Sequence, residues 1–285
     1  MNIMKKSLRA RFTLILFLCG VLPLSAASLF FYYTARDALF ENVFKELKWN
    51  INSISGVVEA HFLETAKDLR TASQNTAFSM YFIDRKNRVH WLAEQHRTLK
   101  YLKSIYPDML DEACFIDSTG REISRIVNDK VASEADLSSE EARNVFFKKA
   151  FDMGEGEVYQ GRPEISEDTG RRVIPNATPV YVNGEKLAIL HFEIPMSYFQ
   201  RLLKRSVNRD RGYLFIVNGD GELMAHTLMD LSEKGPLPHA LAGDTPPSLA
   251  KVLKKMIAGE SGIEQFSNGG KEFYIIYRPI STSYI

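Results

Sequence analysis

Apolar positions follow three different rhythms along this chain. Residues 12–33 contain no charged side chain. A run of about 22 such positions is long enough for one helix to cross a bilayer, which takes about 20. From about residue 35 to 69 the rhythm becomes helical. Phe40, Phe44, Leu47, Ile51, Ile54 and Val58 are spaced 4-3-4-3-4, with no Pro and only Gly56 in the segment. A repeat near 3.5 makes a narrow apolar seam, as in a coiled coil. The next apolar steps, Phe62, Ala66 and Leu69, leave the strict heptad phase. Such a seam fits a stalk helix that pairs with a second copy of the chain, or a helix packed on its own domain. The two can hold at different heights.

Beyond residue 84 the period shifts toward two. Asp84-Arg85-Lys86-Asn87-Arg88 reads as a helix break, followed by a helix over about residues 89–105 that ends before Pro107. Residues 113–116 and 122–127 read as strands around Asp117-Ser118-Thr119-Gly120. Ser138 or Ser139 is placed to cap a helix running to about Met153, with Glu141 completing a capping box behind Ser138. Strands are expected over 157–160, 172–182 and 186–194, the last two joined at Asn183-Gly184, and a helix over 196–205. Further strands are expected over 213–217, 222–226, 263–266 and 272–277, with a helix over 249–257. The first hairpin echoes a later one: Phe115 to Glu122 aligns with Phe215 to Glu222 at a spacing of about 100 residues. The fold class is therefore α+β, with two related modules in tandem.

Charge orients the apolar run. Lys5, Lys6, Arg9 and Arg11 precede it, so the N-terminus is expected in the cytoplasm and the chain after about residue 33 outside the cytoplasmic membrane. Phe30, Phe31, Tyr32 and Tyr33 fit an interfacial aromatic belt. Ser25-Ala26-Ala27 also resembles a signal-peptide cleavage site, but the apolar run continues past it. Both readings export the rest of the chain. Pro23 is tolerable within a membrane helix.

In this order and spacing the segments resemble a double Cache sensor. Phe115-Ile116-Asp117-Ser118-Thr119-Gly120-Arg121-Glu122 resembles the first hairpin of the family's membrane-distal module. Gly156-Glu157-Val158-Tyr159, Pro175-Asn176-Ala177-Thr178-Pro179 and residues 187–194 resemble its later strands, and Tyr213 to Val217 the start of the proximal module. The resemblance implies a basic N-terminus (1–11), a membrane helix (12–33), a stalk helix (34–82), a distal PAS-like Cache module (83–206) and a proximal one (207–285), both with antiparallel sheets. It also implies the sensing half of a bacterial signalling receptor in the cytoplasmic membrane. A sensor histidine kinase is the first expectation, with its output domain missing from this chain; a chemoreceptor or a diguanylate cyclase is the alternative. A membrane-anchored interaction protein that senses nothing is a further one.

The same resemblance supplies candidate ligand residues. Amino-acid-binding members carry Arg-x-Trp-Tyr on a pocket helix, a later Tyr, and an Asp on the last strand. Here the helix reads Arg143-Asn144-Val145-Phe146-Phe147, Tyr159 stands for the later Tyr, and Glu193 replaces the Asp. Arg143, Phe147, Tyr159 and Glu193 are thus expected at the site, with Arg125, Arg162 and Arg172 near its mouth. A guanidinium grips a carboxylate bidentately and a carboxylate suits an ammonium, so the expected ligand is a small carboxylate or amino-acid-like molecule. A homodimer through the stalk is the expected partner.

Composition removes other classes. The net charge of +1 over 285 residues argues against a nucleic-acid partner. The two cysteines, Cys19 and Cys114, have no partner at motif spacing, and no His pair has zinc-site spacing. No cofactor or metal is expected. Neither a Gly-x-Ser-x-Gly elbow nor a phosphate loop occurs, so no catalytic residue is expected and an exported enzyme is disfavoured. Glu164, Glu167 and Asp168 read as a solvated turn, and the sequon at Asn176-Ala177-Thr178 as chance.

Overall fold

The computed structural model describes residues 8–206, 212–231, 235–243 and 245–281. Lys5 and Lys6, and residues 207–211 at the expected boundary of the second module, lie outside the described residues. The chain divides into two compact units, Met1–Ile51 and Asn52–Ile285.

In the first unit, helix α1 (Leu8–Leu16) passes through a π turn (Phe17–Val21) into α2 (Leu22–Ser73). Pro23 explains the π turn. It lacks an N–H, and its ring crowds the carbonyl four residues earlier, that of Cys19, so the ladder widens there. The apolar window has a mean hydropathy of 2.4 with none of it buried inside the chain, so this helix is long and apolar enough to cross a membrane. Leu39, Phe40 and Val43 are exposed.

In the second unit the upper part of α2 packs on its own domain. Ile54, Val58, Phe62, Leu69 and Ala72 are buried. The expected helix over residues 35–69 thus runs to Ser73. Asn75 then caps α3 (Thr76–Ile83), accepting from the Ala77 N–H at 2.9 Å. A second helix, α4 (Arg88–Ile105), follows the break at Asp84, whose carboxylate accepts from Asn87 and Trp91.

These helices cover one face of a seven-stranded antiparallel sheet ordered β3-β2-β1-β7-β6-β4, with β5 also on β6. The strands are β1 (Glu112–Asp117), β2 (Glu122–Val127), β3 (Lys130–Val131), β4 (Tyr159–Gln160), β5 (Glu164–Ile165), β6 (Arg172–Val182) and β7 (Glu185–Pro195). Successive side chains on a strand point to opposite faces. Ala113, Phe115, Leu190 and Phe192 therefore meet Leu69, Phe78 and Leu99 of the helices. Cys114, Ile116, Ala177 and Ile189 face the other way, under α5 (Val145–Asp152), which contributes Phe146, Phe147 and Ala150. The hairpin at Asn183-Gly184 has φ of 54° and 84°, the positive pair that a type I′ turn requires.

Helix α6 (Met196–Ser206) leads to β8 (Phe215–Val217) and β9 (Leu223–His226), then α7 (Pro247–Ile257) and the hairpin β10 (Gly262–Asn268) with β11 (Lys271–Tyr277). A core around Phe199 joins Ile174 and Ile194 of the large sheet to Met224 and Ala225 of β9.

Two expectations change. The helix expected from Ser138 begins only after Asn144; residues 141–143 form a short 3-10 turn. Residues 138–141 form a strap whose backbone is engaged by the sheet end. Ser138 accepts from the Glu122 N–H at 2.9 Å, and the Glu141 N–H donates to Gly120 at 3.0 Å. The Ser138 hydroxyl accepts from the Glu140 N–H instead of opening a helix. The internal echo is real but shifted to 101 residues. Asp117 Oδ1 accepts from the N–H groups of Thr119 and Arg121, and Asn218 Oδ1 from those of Asp220 and Glu222. Gly120 and Gly221 both have φ +84°. A strap crosses each turn, with the Ala240 N–H donating to Gly221 as Glu141 does to Gly120.

Gly120→Ala should therefore destabilise the second unit more than Gly184→Ala. Both have φ +84°, but a Cβ at Gly120 would lie 2.3 Å from Ala142 N whereas Gly184 faces open space. The left-handed backbone alone is worth roughly 1–2 kcal/mol, so chemical denaturation should show about that loss for Gly184→Ala and a larger one for Gly120→Ala.

Candidate functional site

The face of the sheet under α5 is apolar at one end and densely acidic at the other. In the β1–β7 register, Cys114 sits opposite His191 and Glu112 opposite Glu193; in the β1–β2 register, Cys114 sits opposite Arg125. Directly paired side chains share a face within about 5 Å. Two carboxylates, an imidazole, a thiol and a guanidinium are thus assembled by strand pairing alone.

Next to them lies a pocket of about 200 Å³. Six carboxylates line it: Glu112, Glu141, Glu164, Glu167, Asp168 and Glu193. Asn144, Ser166, Phe146 and His191 add amide, hydroxyl and ring surfaces. Among the described residues no Lys or Arg lines it. Arg125, which reaches the pocket wall at Asp168, is already engaged, with Nη1 3.1 Å from Glu122 and 2.7 Å from Asp168.

Burial sets the electrostatics. Glu112 and Glu193 are 2% and 5% exposed. Loss of water, followed by the neighbouring Glu193 carboxylate, holds the Glu112 carboxyl well above the usual range. Burial raises Glu193 as well, against the opposing hydrogen bond from Ser166. Glu122 and Glu164 are each pushed up to about 7, chiefly by burial. His191 is lowered to about 3 by burial and is a neutral ring at physiological pH. Its Nδ1 lies 3.3 Å from Cys114 Sγ, and Phe146 stacks on it with centroids 3.9 Å apart and planes 8° apart. One oxygen each of Glu112 and Glu193, and Nε2 of His191, are buried with no hydrogen-bond partner. A pocket that leaves acceptors unpaired in this way is built for a donor or a cation.

Of the residues expected at the site, Glu193 lines the pocket and Arg125 stands behind it through Asp168. Phe147 and Tyr159 are buried in the apolar core under α5, with Tyr159 in the same cross-strand row as His191 through Ala177. Arg143 is 77% exposed in its side chain and donates to Glu140. Arg162 is equally exposed and pairs with Asp220 at 3.1 Å. Arg172 is buried and donates to the Gly235 carbonyl. Glu167 and Asp168 sit in an exposed turn, as expected, whereas Glu164 is half-buried in β5; all three line the pocket, because β5 pairs with β6 and folds that loop over the sheet. The linear sequence singles out neither Glu112 nor His191, and Cys114 only as a cysteine without a partner at motif spacing. Their signal is a charge inside an apolar run, as in Glu112-Ala113-Cys114-Phe115-Ile116 and His191-Phe192-Glu193-Ile194. Asn176 of the sequon is fully buried, as a chance match should be.

The family model described as "Cache domain" matches residues 35–285. The fold is similar to the sensory domain of the Campylobacter jejuni chemoreceptor Tlp3 with isoleucine bound, at 11% identity and a TM-score of 0.62, over 83% of this chain and 87% of that one. It is also similar to the extracellular domain of the proposed histidine kinase vpHK1S-Z8, at 15% identity and a TM-score of 0.60, over 81% and 87% of the two chains. A third similar structure is a domain of a proposed sensory box/GGDEF family protein from Vibrio parahaemolyticus, at 14% identity and a TM-score of 0.51, over 78% and 88%. No curated protein sequence matches the chain.

The raised carboxyls give a pH signature. Burial, and then the charges of Glu141 and Glu167, raise Glu164 from the ordinary 4.5 to about 7. The folded state thus holds a proton that the unfolded state releases, and stability falls as pH rises from about 4.5 through 7. Glu164→Gln should flatten that decline in a series of thermal melts between pH 5 and 8. A decline as steep as that of the unaltered protein would refute the assignment.

Proposed function

Since the chain belongs to the Cache domain family, whose members are sensory ligand-binding domains, we propose that residues 35–285 sense a small cationic molecule outside the cytoplasmic membrane, on behalf of a signalling receptor anchored by the N-terminal helix. The observation that carries the ligand class is the pocket: six carboxylates, no lining cation among the described residues, and an unpartnered oxygen on Glu193. An ammonium group donated to Glu193, with Asn144 and Ser166 alongside, would satisfy those acceptors. The expected carboxylate grip has no support here, because Arg143 and Arg162 are exposed and bound to other partners. The isoleucine of the similar chemoreceptor domain belongs to that protein. For this chain the favoured ligand is an amine, or an amino acid held by its ammonium end.

The charge-free helix and the basic residues before it support the anchoring. The division into distal (83–206) and proximal (207–285) modules rests on the repeated strapped turn at Gly120 and Gly221. Ligand would act by population shift, favouring packings in which the loop at residues 164–168 closes over the sheet. The signal would reach either a kinase or a chemotaxis output, since both kinds of sensory domain share the fold.

A thermal-shift screen of the full chain in detergent, with primary amines, amino acids and amine-free carboxylates, tests this. A ligand at about 100 Kd contributes roughly 2.7 kcal/mol. Amines should raise the melting point by several degrees, Glu193→Gln should abolish the shift, and Arg143→Ala should leave it intact. A shift produced by amine-free carboxylates instead would sink the reading. For topology, a reporter active only outside the cytoplasm should be active when inserted at the Gly269 turn; cytoplasmic activity there would refute the orientation.

A further inference from the structure

The donors at the floor of the pocket are chemically more specific than an amine requires. Glu112 and Cys114 are alternate residues of β1, and His191 is the direct cross-strand partner of Cys114. One donor atom from each of the three lies within 4.8 Å of the other two. All are deeply buried, with 2%, 1% and 2% of their surface exposed. Glu112 Oε2 has no hydrogen-bond partner, and Glu112 and His191 both line the pocket. A buried polar atom without a partner is destabilising unless something else satisfies it.

We propose that Glu112, Cys114 and His191 bind one divalent transition-metal ion of the zinc class at the pocket floor, with a coordination position open to the pocket.

The donor set sets the class of ion. A thiolate, an imidazole and a carboxylate together suit zinc, cobalt or nickel; magnesium and calcium prefer shells of oxygen alone. The spacing fits. Zinc–sulfur and zinc–nitrogen bonds at a tetrahedral angle place the two donors about 3.5 Å apart, and Cys114 Sγ and His191 Nδ1 are 3.3 Å apart. The Glu112 carboxylate offers a donor atom within 4.8 Å of both. Phe146 fixes the plane of the His191 ring by stacking on it, a positioning contact for a ligand ring. On binding, the thiol proton passes to solvent as the sulfur–metal bond forms, with no change of oxidation state. The surrounding carboxylates raise the local cation concentration. The second acidic cluster, Glu112 with Glu122 and Asp168, already has its cation, because Arg125 pairs with Glu122 and Asp168.

This site shares Glu112 and His191 with the pocket of the amine reading, whose own distinguishing group is Glu193. Linear spacing hides it: Cys114 and His191 are 77 residues apart and meet only through strand register.

The test is a cobalt titration of the full chain in detergent after treatment with EDTA. One equivalent of Co²⁺ should give a strong near-ultraviolet thiolate-to-metal band together with the visible bands of a tetrahedral ion, and Zn²⁺ should displace it. Cys114→Ser should abolish the near-ultraviolet band, and His191→Gln should weaken Co²⁺ binding at least tenfold. The chain has two cysteines, so Cys19→Ser, placed in the membrane helix, must keep the band. That result decides the assignment even if Cys114→Ser fails to fold. Glu193→Gln should keep the band while losing the amine response, which separates failure of this site from failure of the amine pocket. No near-ultraviolet band in the folded protein, a band lost in Cys19→Ser, or a band kept in Cys114→Ser overturns the proposal.

Discussion

The pairing of β1 with β7 is the constraint on which the rest of the molecule depends. It places Phe115 beside Leu190 and Ala113 beside Phe192 on the helix-covered face, and Cys114 beside His191 and Glu112 beside Glu193 on the other. A slip of one residue would exchange the two faces. The acids would then lie against Phe78 and Leu99, and the aromatic rings would lie in the pocket. The apolar face enforces the register because it has only one arrangement in which its large side chains are buried. The polar face inherits its geometry from that choice.

Setting two carboxylates opposite each other at the centre of a sheet is unfavourable in isolation. Burial penalises each charge, and the proximity of the pair penalises the second further. Both Glu112 and Glu193 are held toward their protonated forms as a result. The sheet tolerates them because both its faces are anchored elsewhere, by α2, α3 and α4 on one side and by Phe146, Phe147 and Ala150 on the other. A bound cation would remove much of the penalty. The stability of the pocket and its occupancy are therefore linked, which is the thermodynamic basis on which a sensory domain can respond to a ligand.

The strapped turns show the same local solution used twice. An Asx side chain bonds two backbone N–H groups, a glycine with positive φ closes the turn, and a later segment crosses the glycine where no Cβ intervenes. In the first copy the strap leads directly into Asn144 and α5, and so into the ring that stacks on His191. A turn far from the pocket in sequence thereby helps position its wall.

Features that rest on short-range periodicity and turn chemistry were legible in the linear chain. The charge-free run, the seam at Ile54 and Val58, the strands over 122–127 and 172–182, and the Asn183-Gly184 hairpin all follow from rules that act within about ten residues. Where the buried polar groups gather was set by long-range strand pairing. Arg143 and Arg162 look like anion grips in the chain, but both are exposed and paired elsewhere, Arg143 with nearby Glu140 and Arg162 with Asp220. Glu167 and Asp168 stay in an exposed turn, but that turn and Glu164 come to line a pocket once β5 pairs with β6. Glu112, Cys114 and His191 carry no linear motif, because their meeting is a property of register between strands 77 residues apart. Local interactions fix the elements; which side chains meet across the sheet is fixed by the burial of its opposite face.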